Sequence, residues 1–459
     1  MWLSERHHRN LALVTRTGTC SYSALHAHIS DRMRRLRAPD GGVVILTASM
    51  TVEFVATLLA LLSLARPVAV FSPAWTTDER DSRRTLLGHC VEIDAQGVVV
   101  HEWAGTPITV HPLTRLILFT TGSTGLFKAV QLSDTNIRSN TRAVIEALAF
   151  RAADTQTLFL PLSYSYGLLG QLFPALDLGM RTDLVERLVD LSEGFASQAI
   201  RGMLSGVPSH YEAILRMLPP GYACDRLSHV VTAGAYSSPE LRQRLHQAFP
   251  RATIYNNYGQ TEASPRILCF TSAHPHFYSS ATGYPVGDLR VRLSEGGELL
   301  VSGPQIMLGY LEDDGSTCEK VKDGWLATGD VASIADDGLV TITGRTDELV
   351  NVGGERTSAL EIESAIRRVS GVRNVGVLIV PDDLYGAVCI AYIEPTGNDV
   401  TEDRILSDLR RLVSLHKMPR ELYVIPALPL NQYGKVDRLS LTALYHRRTT
   451  LQFLPHLRG

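Results

Sequence analysis

Nine consecutive residues, Thr120-Thr121-Gly122-Ser123-Thr124-Gly125-Leu126-Phe127-Lys128, combine two glycines, four hydroxyls and a lysine. Glycines let backbone N–H groups come close to an anion, and hydroxyls plus an ammonium add donors, so the segment reads as a phosphate cradle. The P-loop pattern GxxxxGK[ST] does not fit, and a strand-like stretch at 129–132 follows. A second segment, Tyr255-Asn256-Asn257-Tyr258-Gly259-Gln260-Thr261-Glu262, offers a flat ring for a base (Tyr258), a phosphate donor (Thr261) and a hard oxygen ligand for Mg²⁺ (Glu262). In a third, Asp323-Gly324-Trp325-Leu326-Ala327-Thr328-Gly329-Asp330, the last carboxylate could accept both hydroxyls of a ribose. Further on come Gly344-Arg345-Thr346-Asp347-Glu348, Gly353-Gly354-Glu355-Arg356, and a glycine-containing loop, 428–438, that carries Lys435. Taken singly, each also fits a plainer role: a polar turn, an aromatic turn closing a strand, a turn-forming aspartate, a solvated lysine.

The elements around these residues alternate. Apolar runs at 42–46, 67–71, 157–160, 229–232 and 253–255 predict strands, and 51–64, 212–218 and 239–248 predict helices. That rhythm argues for α/β layers around parallel or mixed sheets. Short strands with glycine-rich connections at 298–302 and 339–343 predict an antiparallel, β-barrel-like subdomain. From 359 a smaller α+β unit follows: a helix (361–369), strands at 374–380 and 387–393, and a helix with Ile405, Leu406, Leu409, Leu412 and Val413 on one face. The expected division is a large domain, 1–345, and a small one, 346–459.

Composition limits the alternatives. The chain has 459 residues, 45% hydrophobic and 20% charged, which is globular and sufficient for large cores. A formal net charge of -3 provides no field to recruit nucleic acid, and the arginine patches at 32–37 and 446–448 read as solvated faces. Six scattered cysteines without metal-ligand spacing suggest reduced thiols in a cytoplasmic protein. The start of the chain lacks the apolar core of a signal peptide, and the apolar run 54–65, flanked by Glu53 and Arg66, is too short for an integral membrane segment. It predicts a buried helix.

These segments together resemble the adenylate-forming superfamily: acyl-CoA and aryl-CoA synthetases, adenylation domains of nonribosomal peptide assembly, and firefly-type luciferases. The resemblance runs from residues 22–25 to Arg438 in the family's order and approximate spacing. It implies that 120–128, with Thr120, Thr121, Gly122, Ser123, Thr124, Gly125 and Lys128, holds the β- and γ-phosphates of ATP. Tyr258 and Gly259 would pack on the adenine, Thr261 would touch the α-phosphate and Glu262 would bind Mg²⁺. Gly234 and Ala235 would pass along the adenine, and Asp330 and Arg345 would hold the ribose. Asp347 matches the hinge to a mobile small domain and Lys435 the adenylation lysine, while Gly353, Gly354 and Glu355 match the loop presented for thiol attack. Two positions depart from the family. The phosphate loop ends Gly125-Leu126-Phe127-Lys128-Ala129 rather than Gly-x-Pro-Lys-Gly, and Tyr164 stands where many relatives carry His.

The resemblance implies ATP-dependent formation of an acyl-adenylate and transfer to a phosphopantetheine thiol, either of CoA or of an acyl or peptidyl carrier protein. An inactive nucleotide-binding relative would lack Glu262 or Lys435, and both are present. Tyr164 and Tyr166 either shape the acyl pocket or form a core aromatic pair. No acidic residue occurs between 161 and 175 to compensate a substrate ammonium, so the small-molecule substrate should be a carboxylic acid without an α-amino group. In a pyrophosphate-exchange panel, fatty, aryl or small polyketide-like acids should therefore outperform proteinogenic amino acids; the reverse order would refute this.

Overall fold

Uninterrupted runs of Val, Ile and Leu become parallel strands covered on both faces, as burial of both sheet faces requires. The computed structural model describes residues 3, 9–36, 42–106, 108–121, 127–197, 199–219, 221–311, 315–346, 349–352, 355–382, 386–397, 400–411, 418–431 and 435–452. Two compact units divide the chain: Met1–Ser294 with Leu300–Thr328 and Ile334–Val340, and Glu295–Leu299 with Gly329–Ser333 and Thr341–Gly459.

The larger unit holds two mixed sheets. One has seven strands in the spatial order Gly309–Tyr310, Phe127–Ser133, Thr114–Thr121, Val68–Phe71, Val43–Thr47, Cys90–Ile93, Val99–Trp103. The other has nine, in the order Tyr284–Pro285, Arg266–Thr271, Thr253–Gly259, Leu227–Thr232, Gly202–Gly206, Thr155–Leu158, Arg181–Leu184, Leu11–Thr15, Gly18–Ser21. The middle of this sheet is parallel, and its last strands at either end are antiparallel. Strands between 290 and 345 form a five-stranded sheet where the sequence predicts a barrel-like subdomain. The apolar run at 54–65 lies in the helix Val52–Ser63, capped by Thr51 and buried from Phe54 to Leu62. Among the described residues no helix is long and apolar enough to cross a membrane, and all six cysteines are free.

The smaller unit is built on a three-stranded sheet, Val372–Asp382, Gly386–Pro395 and Glu421–Val424. Ala359–Arg367 and Glu402–Leu409 pack Ile362, Ile366, Ile405 and Leu409 into its core. Leu412 and Val413, placed by periodicity on the same helical face, lie outside the described residues.

One helix start ties distant parts of the larger unit together. Ser133 and Asn136 form a reciprocal capping pair at the head of Asp134–Ala147: Ser133 Oγ accepts from Asn136 N (3.1 Å) and Asn136 Oδ1 from Ser133 N (2.8 Å). The Asn136 amide then donates to Pro304 O and Ile306 O at 2.8 and 2.7 Å, fixing the segment that leads to Met307 and Tyr310. Asn136→Ala removes the cap and both carbonyl contacts, and should lower the unfolding free energy by about 2–3 kcal/mol in urea titration. A change under about 0.5 kcal/mol would show that the segment is held elsewhere.

Candidate active site

The hairpin Thr114–Thr121/Phe127–Ser133 places Thr120 directly opposite Lys128 in register, so the two ends of the phosphate-cradle segment are neighbours. Gly122, Ser123, Thr124 and Gly125 lie outside the described residues, as does the side chain of Thr121. Lys128 Nζ sits 4.6 Å from the centroid of the Tyr310 ring, within the range of a cation–π contact.

The strand Thr253–Gly259 carries Tyr258, half-buried, to a sheet end where it turns into the short helical segment Thr261–Ala263. Gly259 is required sterically: a Cβ there would stand 1.7 Å from Pro265 O. Thr261 and Glu262 are buried, at 5% and 8% exposure, and both are held by side chains. Thr261 Oγ1 and Ser165 Oγ lie 2.9 Å apart. The Tyr310 hydroxyl donates to Glu262 Oε1 at 2.9 Å, while the Glu262 carbonyl accepts from Met307 N at 2.9 Å. Gln260 Nε2 donates to Thr328 O. Lys128, Tyr310, Glu262, Thr261 and Ser165 thus form one contact chain of cation, ring, carboxylate and hydroxyls. Gly234 and Ala235 follow the neighbouring strand Leu227–Thr232, with Gly234 at φ +84°, a conformation that glycine adopts without strain.

No group of three or more His, Cys, Asp or Glu side chains able to hold a metal ion occurs among the described residues. A lone buried carboxylate nevertheless suits Mg²⁺, which commonly takes one or two protein carboxylates and completes its shell with phosphate oxygens and water.

Tyr164 and Tyr166 take different positions. Tyr164 is half-buried just before the turn Ser165–Gly167. Tyr166 is 5% exposed, donates its hydroxyl to Val231 O at 3.2 Å and stacks against Arg266. Burial pushes its phenol up to about 12, so it stays a neutral donor. The turn continues into a π-helical segment, Leu168–Leu172, a distortion often found where a helix serves a site.

The remaining candidates belong to the smaller unit. Asp330, 9% exposed in the strand Trp325–Ile334, is paired with Arg345 (Nη1 to Oδ1 3.3 Å). Beside it, Gly329 N donates to Glu298 Oε1 and Thr346 Oγ1 to Gly329 O. The Lys435 N–H donates to Asn431 Oδ1 and its carbonyl accepts from Asn431 N, with Leu430 bridging Val436. Asp347, Gly353 and Gly354 lie outside the described residues. Glu355 opens the strand Glu355–Ser358, and nothing of its side chain is described.

Ser165 and Tyr310 are site residues that the sequence motifs do not contain. Tyr310 sits in a Gly-Tyr pair, and Ser165 lies between the two tyrosines already singled out, but only the fold brings either hydroxyl to Thr261 or Glu262.

Two family models match the chain: AMP-binding enzyme over residues 113–311 and AMP-binding enzyme C-terminal domain over 361–435, together more than half of it. The chain is 30% identical over 325 residues to a 3-[(3aS,4S,7aS)-7a-methyl-1,5-dioxo-octahydro-1H-inden-4-yl]propanoyl:CoA ligase of Rhodococcus jostii (strain RHA1), covering 70% of this chain and 63% of that protein. It is 31% identical over 365 residues to acyl-CoA ligase SID4 of Ajellomyces capsulatus, covering 72% and 61%. The chain therefore spans less than two thirds of the length of these two relatives. In fold it is similar to ATP-bound MatB from Rhodopseudomonas palustris, with TM-score 0.84, 22% identity and coverage of 96% and 97%.

Tyr310→Phe deletes only the hydroxyl held by Glu262. Leaving that buried carboxylate one donor short should lower pyrophosphate-exchange kcat/KM by about tenfold and raise the Mg²⁺ concentration for half-maximal rate. An unchanged Mg²⁺ dependence would show that Tyr310 does not act on the metal through Glu262.

Proposed function

Because the chain belongs to the AMP-binding enzyme family, we propose that it activates a carboxylic acid with ATP and passes the acyl group to the thiol of CoA. In the first step a carboxylate oxygen bonds to the α-phosphorus while the bond from that phosphorus to the bridging oxygen breaks, so acyl-adenylate forms and pyrophosphate leaves. In the second the thiol sulfur bonds to the acyl carbon, AMP leaves with the electron pair of the broken C–O bond, and the thiol proton is released. The observation that carries this reading is the buried pair Thr261–Glu262, locked by Ser165 and Tyr310 beside Lys128.

The chemistry explains the residue types. Two anions approach each other in the first step, and negative charge accumulates on phosphoryl oxygens. Thr261 donates to the α-phosphate, Lys128 and the 120–125 segment hold the β- and γ-phosphates, and Glu262 holds Mg²⁺, which supplies charge neutralisation at those oxygens when bound. Tyr258 and Gly259 with Gly234 and Ala235 border the adenine, Asp330 receives the ribose hydroxyls with Arg345 holding its carboxylate in place, and Tyr164 and Tyr166 border the acid. Lys435 delivers the second cation.

A division at 345/346 would put Lys435 on a small domain of its own, and rotation about Asp347 would exchange it for Gly353, Gly354 and Glu355 before thiol attack. A reaction drawing on ATP and CoA belongs in the cytoplasm. The free-standing alternative, loading a phosphopantetheinyl carrier protein, uses the same thiol chemistry.

ATP–pyrophosphate exchange over a panel of acids, followed by thioester trapping with CoA and with pantetheinylated carrier proteins, tests both readings. Lys435→Ala should cut exchange by at least about a hundredfold while nucleotide binding by the larger unit persists. Exchange at the wild-type rate would overturn the assignment of the lysine, and thioester only on carrier protein would overturn CoA.

A further inference from the structure

We propose that Arg266 receives a second anionic group on the acid, so that the substrate is a dicarboxylic acid. This rests on the adenylation reading above. Arg266 opens the strand Arg266–Thr271 and is only 3% exposed. Its Nε and Nη2 have no hydrogen-bond partner, and among the described residues no acidic side chain pairs with it. Arg242, wholly buried in the same unit, is treated differently: its guanidinium donates to Ser238 O, Phe277 O, Ser279 O and Ala281 O. The fold therefore satisfies one buried guanidinium with four carbonyls and leaves the other with donors to spare.

What surrounds Arg266 is polar as well as aromatic, and it contains no acidic group among the described residues. Tyr166 packs against the guanidinium face, with Cζ 5.3 Å from the ring centroid. On another side Gly170 lets the backbone come close, since a Cβ built there would stand only 3.3 Å from Nη2. Asn257, in register with Cys269 on the adjoining strand, leaves both amide atoms unpartnered at 3% exposure. Gln171, next to Gly170, does the same at 1%. Burial draws the Arg266 pKa below its ordinary value, as it does for Arg242, with Tyr166 opposing the shift.

A guanidinium removed from water without an anion is unfavourable, and its fork of parallel N–H groups matches a carboxylate in both charge and shape. Water could fill hydrogen bonds there, but it brings no charge. Position decides which molecule supplies the anion. Ser165 reaches Thr261 and the next residue, Tyr166, lies on Arg266, so one dipeptide touches both the proposed phosphoryl end and the guanidinium. An acid activated beside Thr261 would extend its far end toward Arg266. A second carboxylate neutralises the site, whereas an apolar tail leaves it uncompensated.

The test compares matched acids, succinate with butyrate, glutarate with pentanoate and phthalate with benzoate, in ATP–pyrophosphate exchange by wild type, Arg266→Met and Arg266→Lys. Wild type should favour the diacid of at least one pair by tenfold or more in kcat/KM. Arg266→Met should bring that ratio close to one by losing the diacid, and Arg266→Lys should retain part of it. The apo Tm of Arg266→Met should hold or rise by about 2–4 °C, because an uncompensated charge has been removed. A wild-type preference for monoacids throughout, or a diacid ratio unchanged in Arg266→Met, would overturn the inference; so would a Tm drop of 5 °C or more with that ratio unchanged. If no acid supports exchange, the adenylation reading fails by itself. Diacid-induced thermal shifts without ATP then decide the inference: a shift present in wild type and lost in Arg266→Met sustains it, and no shift with any diacid refutes it.

Discussion

A carboxylate that is 8% exposed needs a donor aimed at it, and the Tyr310 hydroxyl on Glu262 meets that need. Tyr310 comes from a strand of only two residues, too short to hold its own register. It borrows that register from Phe127–Ser133, where Tyr310 pairs with Val130 and Gln131 Nε2 donates to the Tyr310 carbonyl. Upstream, Asn136 grips Pro304 and Ile306, and Met307 N returns to the Glu262 carbonyl. A helix cap, a sheet edge and an aromatic hydroxyl therefore act in series to fix one oxygen. The amide bonds are each of the modest strength usual for neutral partners and the one to the carboxylate is stronger; what they provide together is position, the quantity that the proposed phosphoryl-transfer site requires.

On the proposed reading, the same strand-end geometry gives the two halves of the site different electrostatics. On the proposed phosphoryl side, hydroxyls and a partnered carboxylate would face a polyanion with its metal. A few residues further along the chain, the Arg266 guanidinium has spare donors and an aromatic face for company.

How much of this is legible in the sequence depends on range. The hairpin around 120–128 and the strand before Tyr258 announce themselves by local patterning, because β-branched runs and glycine-rich turns act over a few residues. The helices Val52–Ser63 and Pro239–Ala248 do the same through caps and apolar stripes. Ser165 and Tyr310 do not, since their partners lie 96 and 48 residues away and no short pattern encodes a pairing that distant. Nor does local patterning reveal that Leu11–Thr15 lies beside Arg181–Leu184, or that Tyr166 directs its hydroxyl into the sheet at Val231. Arg266 reads in the chain as one charge before the apolar run Ile267-Leu268-Cys269-Phe270. Its chemical meaning appears only when the fold counts its partners.

On the proposed mechanism, the loop that bears Lys435 shows why a catalytic cation can sit on a separate unit. Asn431 binds both backbone groups of Lys435, and Leu430 bridges Val436, so the backbone at the lysine is set by its own loop and needs nothing from the substrate. A lysine whose backbone is held this way could be offered and withdrawn with its unit. The opposite design, a lysine on the larger unit beside Lys128, would leave a fixed cation against the adenylate while a thiol tries to reach the acyl carbon. Separating the two cations lets Lys128 stay with the leaving pyrophosphate and Lys435 depart before the second step, which is the order that the charge changes of the reaction demand.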